Sequence, residues 1–347
     1  MNMFVDDRAS IMADNFCLKL KGESIFVTGG TGLFGSWLIG KILEVNRRLS
    51  LGINLTILSR DPDATTKSGI ERMEAGEGKY LVGDVESFEF IEEKFDRIIH
   101  LAATSASETY EGKNQLSKFR MLSYGTERVL QFAVHCEAKH VLFTSSGIVY
   151  GDICENIIGV SEEYQGAPST QDVNSALAQG KRSAEFLCAY YADQYDIQVS
   201  IARCFSFVGP GLPLGIHYAI GNFIQDAIGA AKITVRGDGS PVRSFLYMGD
   251  LVVWLLALLT RESGPSVYNV GSDQAITIVD LAGMIREILC PNKEIEILGD
   301  SEHAVGNFSR NRYVPSIELA RRELGVDVWT SLESSIKMTA DHAREKY

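Results

Sequence analysis

The run Ile25-Phe26-Val27-Thr28-Gly29-Gly30-Thr31-Gly32-Leu33-Phe34-Gly35 constrains this chain more than any other stretch. An apolar strand enters a glycine-rich turn. The turn opens a helix near Leu33 that continues through Trp37-Leu38-Ile39-Gly40-Lys41-Ile42-Leu43. The three spaced glycines have separate tasks. Gly29 permits the tight turn, Gly32 lets the backbone approach a phosphate, and Gly35 lets helix and strand pack closely. The first amides of the helix and its partial positive charge point at the same place. Such a turn holds the pyrophosphate of a dinucleotide, which makes Gly29, Thr31, Gly32, Leu33, Phe34 and Gly35 candidate cofactor contacts.

Strand-like segments recur down the chain with helix-length segments between them. Asn54–Leu58, Tyr80–Val82, Arg97–Leu101, His140–Thr144 and Gln198–Arg203 read as further strands, and Gly125–Cys136 and Ser175–Tyr195 as helices. Alternation of this kind predicts an α/β fold, a doubly wound parallel sheet with helices on both faces. After about Ser206 the pattern loosens. A Gly/Pro-rich loop, Gly209–Gly215, precedes short strands at Ile233–Val235 and Val267–Val270 and helices at Ile278–Leu289 and Ile317–Leu324. The expected organisation is an N-terminal arm or helix over 1–22, a dinucleotide-binding Rossmann domain over 23–205 with later strands near 233–270 returning to it, and a smaller substrate-binding lobe over 206–347.

Bulk properties narrow the partners. A net charge of −12 argues against a nucleic-acid backbone. The longest apolar run, Leu251–Leu259, falls well short of the roughly 20 residues that span a bilayer. Met1–Asn15 carries Asp6, Asp7, Arg8 and Asp14 and has no apolar signal core. The six cysteines are scattered with no C-x-x-C pair, as in a reducing compartment, so the expected location is cytoplasmic. The six histidines show no metal-ligand spacing, and no metal is expected.

Six motifs then fall in one order: Thr28–Gly35, Gly83-Asp84-Val85, His100-Leu101-Ala102-Ala103, Thr144-Ser145-Ser146-Gly147-Ile148-Val149-Tyr150-Gly151, Gly180-Lys181-Arg182-Ser183-Ala184-Glu185, and Gly237–Phe245. As an ordered set they resemble the extended short-chain dehydrogenase/reductases, in particular the nucleotide-sugar epimerase/dehydratase/reductase group, from about Glu23 to Thr339. The resemblance implies that Asp84 and Val85 sit against the adenine, and that Leu101, Ala102 and Ala103 line the cofactor. It implies that Ser146 hydrogen-bonds the reacting sugar oxygen and that Lys181 holds the nicotinamide ribose. Ser145, Ser206, Asn222 and Arg243 would contact a nucleoside-diphosphate sugar, with Arg243 on its phosphates, where a bidentate donor suits. The implied chemistry is hydride transfer at a hexose carbon, most naturally C4, in a homodimer built through the helices near Met121–Cys136 and Ser175–Tyr195. Leu130, Phe186, Leu187 and Tyr190 would supply that face or pack on the chain's own sheet.

The pattern breaks at its chemical centre. The family's acid/base tyrosine stands four residues before the lysine, one helical turn away, where the ammonium stabilises the phenolate. Here that position is Leu177, and none of the lysines in the chain has a tyrosine four residues ahead. Either another group carries the proton (Lys181, His217, Tyr164 or a water held by Ser146), or substitution at 177 has left a chain that binds its ligands with impaired chemistry. Losing a positioned acid/base costs about 10²–10⁴-fold in rate. Leu122 and Ser206 replace two family asparagines. Gly147-Ile148 replace the Asp-Glu of 4,6-dehydratases, which favours 4-keto reduction or epimerisation over dehydration. At the end of the second strand, Ser59-Arg60 favours the 2′-phosphate of NADP, while Asp61 leaves NAD open.

Overall fold

The structure, a computed structural model, describes residues 6–62, 73, 76–103, 114–154, 156–216, 218–264, 266–299 and 311–346. Its strands are β1 (Ser24–Thr28), β2 (Asn54–Ser59), β3 (Gly78–Val82), β4 (Arg97–His100), β5 (His140–Ser146), β6 (Gln198–Cys204), β7 (Phe207–Val208), β8 (Ile233–Val235), β9 (Val242–Arg243), β10 (Leu246–Tyr247), β11 (Val267–Val270), β12 (Ile276–Thr277), β13 (Ile295–Ile297) and β14 (Arg312–Tyr313). The helices used below are α1 (Asp7–Leu18), α2 (Leu33–Leu49), α3 (Gln115–His135), α4 (Ala176–Gln194), α5 (Ala219–Gly229), α6 (Met248–Thr260) and α7 (Ile278–Leu289).

Seven strands form one sheet in the order β11-β6-β5-β4-β1-β2-β3. Every pairing in it is parallel. This is the expected doubly wound Rossmann sheet. The chain order reverses between β1 and β4, and in such sheets ligands bind outside the carboxyl ends of the strands at that reversal. Val267–Val270 does return to the sheet, as its edge strand β11. Ile233–Val235 does not; β8 pairs with β13 in a separate two-stranded sheet of the second lobe. A third small sheet, β12-β9-β14, carries Arg243.

One face of the main sheet packs on α2 and α6, the other on α3 and α4. On the second face Phe26 of β1 sits within an aromatic cluster, with ring centroids 4.7 Å from Phe132, 5.4 Å from Phe95 and 5.7 Å from Phe88. Helix α6 is buried along its whole length. A helix apolar all round needs a cover on its outer side, and α1 supplies it. Ala9, Ala13 and Cys17, spaced four apart on one stripe, are buried in the same core as α6. Asp14 fastens α1 to α2 through Lys41 at 2.9 Å and Arg48 at 2.8 Å. The N-terminal helix is thus part of the core.

Helix α3 begins ten residues before the expected Gly125, at Gln115. Asn114 starts it, accepting from the amides of Leu116 and Ser117. The polar first turns hide this start from a hydrophobic periodicity, whereas the cap defines it.

Two buried histidines tie the layers together in their neutral forms. Arg97 donates to His140 Nδ1 at 3.2 Å, which leaves the Nε2 hydrogen for Ser200 Oγ at 2.8 Å. His100 bridges Thr28 Oγ1 at 2.7 Å and Thr126 Oγ1 at 3.0 Å. Burial pushes both imidazoles down to about 3, with Lys181 adding to the effect at His100 and Arg97 and Arg261 at His140. The unfolded chain takes up protons at these rings below about pH 6.5 while the folded chain does not, so stability is full above that pH and falls below it. Each ring is expected to cost about 1.4 kcal/mol per pH unit across that window. Denaturant unfolding between about pH 7 and pH 5 should show the decline, and His140→Gln should flatten it; an unchanged slope in that variant contradicts the assignment.

Candidate functional site

The cofactor cradle is built from the β1 turn and the end of β4. Gly29 has a φ of 72°, in the left-handed region that glycine tolerates. A Cβ there would lie 2.5 Å from the Ala102 amide nitrogen, so the two loops flanking the sheet reversal touch through bare backbone. Gly35 is equally confined: a Cβ there would lie 2.4 Å from the Gly29 carbonyl oxygen. Gly32 is the N-cap of α2 and makes no side-chain cap hydrogen bond. The amides of Leu33, Phe34 and Gly35, which have no acceptor within the helix, therefore remain available to an anion. The Leu33 and Phe34 side chains turn away. Phe34 packs edge-on against Phe207 at 4.9 Å, and Leu33 lies against Gly211, so only their backbone is offered to a ligand.

A directed hydrogen-bond chain sets this cradle. Thr126 Oγ1 donates to the Leu122 carbonyl at 2.6 Å and so accepts from His100 Nε2; His100 Nδ1 then accepts from Thr28 Oγ1. The Ala102 amide donates to Thr28 Oγ1 at 3.4 Å, which couples β1, β4 and α3 at the mouth of the site. Asp84 and Val85 follow β3. Val85 packs over Gly125 of α3, where a Cβ would meet it at 3.0 Å, while Asp84 accepts from the Glu86 amide at 2.9 Å. Ser59 closes β2, buried, its hydroxyl accepting from the Asp61 amide at 3.2 Å beside Arg60. Ala103 is the last described residue of its loop.

Ser146 ends β5, and Lys181 of α4 reaches the same strand at Thr144. Lys181 is 4% exposed. Its ammonium donates to the Thr144 carbonyl at 2.6 Å and lies 4.7 Å over the Phe143 ring. Burial pulls its pKa down to about 8, against the opposing influence of Cys204 and Glu185. Ser146 caps a short 3₁₀ turn, Gly147–Tyr150, its Oγ accepting from the Ile148 amide at 3.3 Å. Ser145 points the other way, since successive strand residues alternate faces. Its hydroxyl donates to Glu185, which also takes a two-pronged contact from Arg203 at 2.7 Å and 3.1 Å. Arg203 stacks 4.7 Å over Tyr150, and Tyr150 donates to Asn269 at 2.7 Å. Ser145, expected beside the substrate, belongs instead to this buried layer behind Ser146, because its hydroxyl is committed to a carboxylate.

Leu177 stands half-buried in the first turn of α4, one turn before Lys181. Leu122 is buried where α3 meets α4; a Cβ on Gly180 would lie 2.9 Å from it. Of the alternative proton carriers, Tyr164 donates to the Asp152 carbonyl at 3.0 Å and rests beside Cys154. His217 lies outside the described residues.

The second lobe brings Arg243 to β9, half-buried. Ser206 joins the lobes, its carbonyl accepting from the Leu246 amide at 3.0 Å. Asn222 Oδ1 and Ser244 Oγ are buried with no hydrogen-bond partner among the described residues. Buried polar atoms seldom stay unpaired. Sequence reading missed Tyr313. Its register partner across the β9–β14 pairing is Arg243, and its hydroxyl lies 3.4 Å from Ser146 Oγ.

A glycine cradle at the reversal of a doubly wound sheet, with a serine and a buried lysine at the adjoining strand end, defines a dinucleotide-binding enzyme of the short-chain dehydrogenase/reductase type. The sequence matches the NAD dependent epimerase/dehydratase family over residues 25–271, and the chain belongs to that family. It is 29% identical over 325 residues to UDP-glucuronic acid decarboxylase 1 of Xenopus tropicalis, covering 93% of this chain and 73% of that protein. Its fold resembles that of the epimerase Mth375 from Methanothermobacter thermautotrophicus, with a TM-score of 0.79 at 24% identity and 96% of each chain covered. It also resembles MoeE5 in complex with UDP-glucuronic acid and NAD, with a TM-score of 0.74 at 21% identity, over 93% of this chain and all of that one (100%).

The cradle fits a nicotinamide dinucleotide. The amides of Leu33, Phe34 and Gly35 would hold its pyrophosphate and Lys181 its ribose nearest the chemistry. Lys181 is charged below about pH 8 and loses that charge above it. Dinucleotide affinity, measured by calorimetry, is therefore expected to fall as pH rises through about 8. Lys181→Met should bind more weakly throughout and lose the pH dependence; a variant that keeps the decline contradicts this role.

Proposed function

We propose that this chain moves a hydride to or from a ring carbon, C4, of a nucleoside-diphosphate sugar, as a 4-keto-sugar reductase or an epimerase. The observation that carries the reading is Lys181 bonded to the Thr144 carbonyl on the strand that ends at Ser146, with Arg243 in register with Tyr313, whose hydroxyl reaches Ser146. A nicotinamide dinucleotide supplies or accepts the hydride. The chain's own residues hold its pyrophosphate on the α2 amides, orient the sugar oxygen on Ser146, and engage the sugar's phosphates through Arg243. The kinship with UDP-glucuronic acid decarboxylases, and a fold shared with a UDP-glucose 4-epimerase and with MoeE5 bound to UDP-glucuronic acid, supports the substrate class. Gly147-Ile148, where a dehydratase would place Asp-Glu, weighs against 4,6-dehydration.

Mass spectrometry of ligands co-purified with the native protein is expected to find a dinucleotide and a sugar nucleotide. In assays, 4-keto-sugar nucleotides with reduced dinucleotide should turn over. If instead NAD-loaded protein only interconverts epimers, the reductive direction is wrong. Leu177 motivates a second reading, in which both ligands bind and chemistry is impaired. Leu177→Tyr separates the two, because a large gain in rate over the native chain favours the impaired reading and equal rates dismiss it.

Arg60, beside Asp61 at the end of β2, supports NADP over NAD. Arg60→Ala is expected to weaken NADP about tenfold and leave NAD nearly unchanged, the size of one charge-assisted contact; equal effects on both would remove that preference.

A homodimer through α3 and α4 is part of the same reading. Phe186 is 69% exposed and Tyr190 49% on α4, and Tyr124 is 55% exposed on α3, whereas Leu130 lies in the chain's own core. Light scattering that returns a monomer mass would remove it.

A further inference from the structure

Leu177 leaves the proposed reaction without its usual proton carrier, and a sugar oxygen that changes between carbonyl and hydroxyl must gain or lose a proton. We propose that Tyr313 takes that part, acting with Ser146 as a proton-transfer pair delivered from the second lobe. The inference rests on the reading of the site as one for hydride transfer to a nucleotide sugar.

Tyr313 Oη lies 3.4 Å from Ser146 Oγ, a pair in which either hydroxyl can donate, and it donates to the Cys204 carbonyl at 3.5 Å. Its ring lies 4.6 Å from Phe205, tilted by 35°, and the residue is 9% exposed, packed in one cluster with Val149, Tyr150, Val160 and Phe205. The strand that bears it is clamped on both sides. The Val242 amide donates to the Asn311 carbonyl at 2.7 Å, the Val160 amide to the Val314 carbonyl at 3.0 Å, and the Ser316 amide to the Val160 carbonyl at 2.8 Å. Arg312 Nε adds a bond to the Ile158 carbonyl at 2.6 Å. A phenol held this way is pre-positioned.

Gly147 explains how the hydroxyl gets so close. A Cβ at 147 would lie 2.8 Å from Tyr313 Oη and 2.6 Å from the Phe205 ring. The residue that replaces the dehydratase acid is thus also the one whose missing side chain admits Tyr313 to Ser146. The parallel β9–β14 pairing puts Arg243 and Tyr313 side by side on one face of the small sheet. A sugar nucleotide with its phosphates on Arg243 would therefore run along that face towards the phenol.

The other nearby candidates are held by shorter hydrogen bonds than the 3.5 Å one from Tyr313 to the Cys204 carbonyl. Tyr150 donates to Asn269 Oδ1, and burial pushes its pKa up to about 12. Lys181 donates to the Thr144 carbonyl, and Tyr164 to the Asp152 carbonyl.

In the reductive direction the balance is complete. A hydride from the reduced nicotinamide forms the C4–H bond, and the C4=O π bond breaks with its electron pair passing to oxygen. That oxygen takes the Ser146 hydroxyl proton as Ser146 takes the Tyr313 proton. The phenolate is reprotonated by water. Oxidation of the alcohol runs the same steps backwards, with the oxidised nicotinamide as acceptor.

The test compares wild type, Tyr313→Phe, Ser146→Ala and the double variant, using a panel of UDP- and dTDP-4-keto sugars with reduced dinucleotide. Tyr313→Phe is expected to lower kcat by about 10²–10⁴-fold with little change in KM, and the double variant to lose no more than the worse single one, as groups acting as a unit do. Ultraviolet difference titration of wild type against Tyr313→Phe, with UDP-glucuronic acid and NAD as probes, should show one phenol whose ionisation shifts on binding. Turnover by Tyr313→Phe within about threefold of wild type, fully additive losses in the double variant, or a phenol that does not respond to the probes each overturn the proposal. Wild type that binds neither probe sinks the nucleotide-sugar reading, and the role of Tyr313 with it. Binding that survives in every variant while only Tyr313→Phe proves fully active sinks the role of Tyr313 alone.

Discussion

The contact between Gly29 and the Ala102 backbone is the constraint on which the rest of the site depends. It brings the ends of β1 and β4 together where the strand order of the sheet reverses, with no side chain between them. Hydrogen bonds make the approach permanent. Thr28, His100 and Thr126 form a chain from the first strand to the third helix, and His100 can complete it only while neutral. The same burial that keeps the ring uncharged holds the loops at one spacing. A dinucleotide then meets a preformed surface of α2 amides and bare backbone instead of loops that must be ordered at its arrival.

Behind Ser146 lies a second layer of polar side chains bonded to one another. Ser145, Glu185, Arg203, Tyr150 and Asn269 are linked by charge-assisted and stacking contacts. They fix the strand end on which Ser146 sits and the helix that carries Lys181. Leu122 and Leu177 replace polar residues in the same neighbourhood. On the proposed reading, the chain keeps the supports of a hydride-transfer site and exchanges the group that handles the proton. Tyr313 restores a phenol to Ser146 from the opposite lobe. The reacting centre then depends on the two lobes staying in register, whereas a tyrosine on α4 would have kept it within one helix and one sheet.

Much of this was legible in the chain. The strand–glycine–helix run marked the turn between β1 and α2, the alternation of strands and helices named the sheet, and the six ordered motifs pointed to Ser146 and Lys181, which the fold sets on β5 and α4. Local signals sufficed because each rests on near-neighbour physics: a positive φ at Gly29, a capped helix, a four-residue spacing on one helical face. Less local features were misjudged. The start of α3 was set too late because the Asn114 cap precedes a polar turn. Ser145 was assigned to the ligand side because its face depends on the carboxylate it meets from α4. Residues 1–22 read as an arm or a helix, and only the packing of Ala9, Ala13 and Cys17 beside α6 shows that α1 closes the core.

The sequence by itself determined that this protein has a doubly wound sheet with a dinucleotide turn at its start, and that the tyrosine normally paired with Lys181 is absent. Those facts are written in spacing, and spacing survives without coordinates. Tertiary structure alone decided what stands beside Ser146. Tyr313 is 167 positions away in the chain, and only the β9–β14 pairing, the clamp at Val160 and the empty Cβ position at Gly147 bring its hydroxyl there. No periodicity links residues so far apart, because their proximity is set by how two lobes pack and not by any local preference of the backbone.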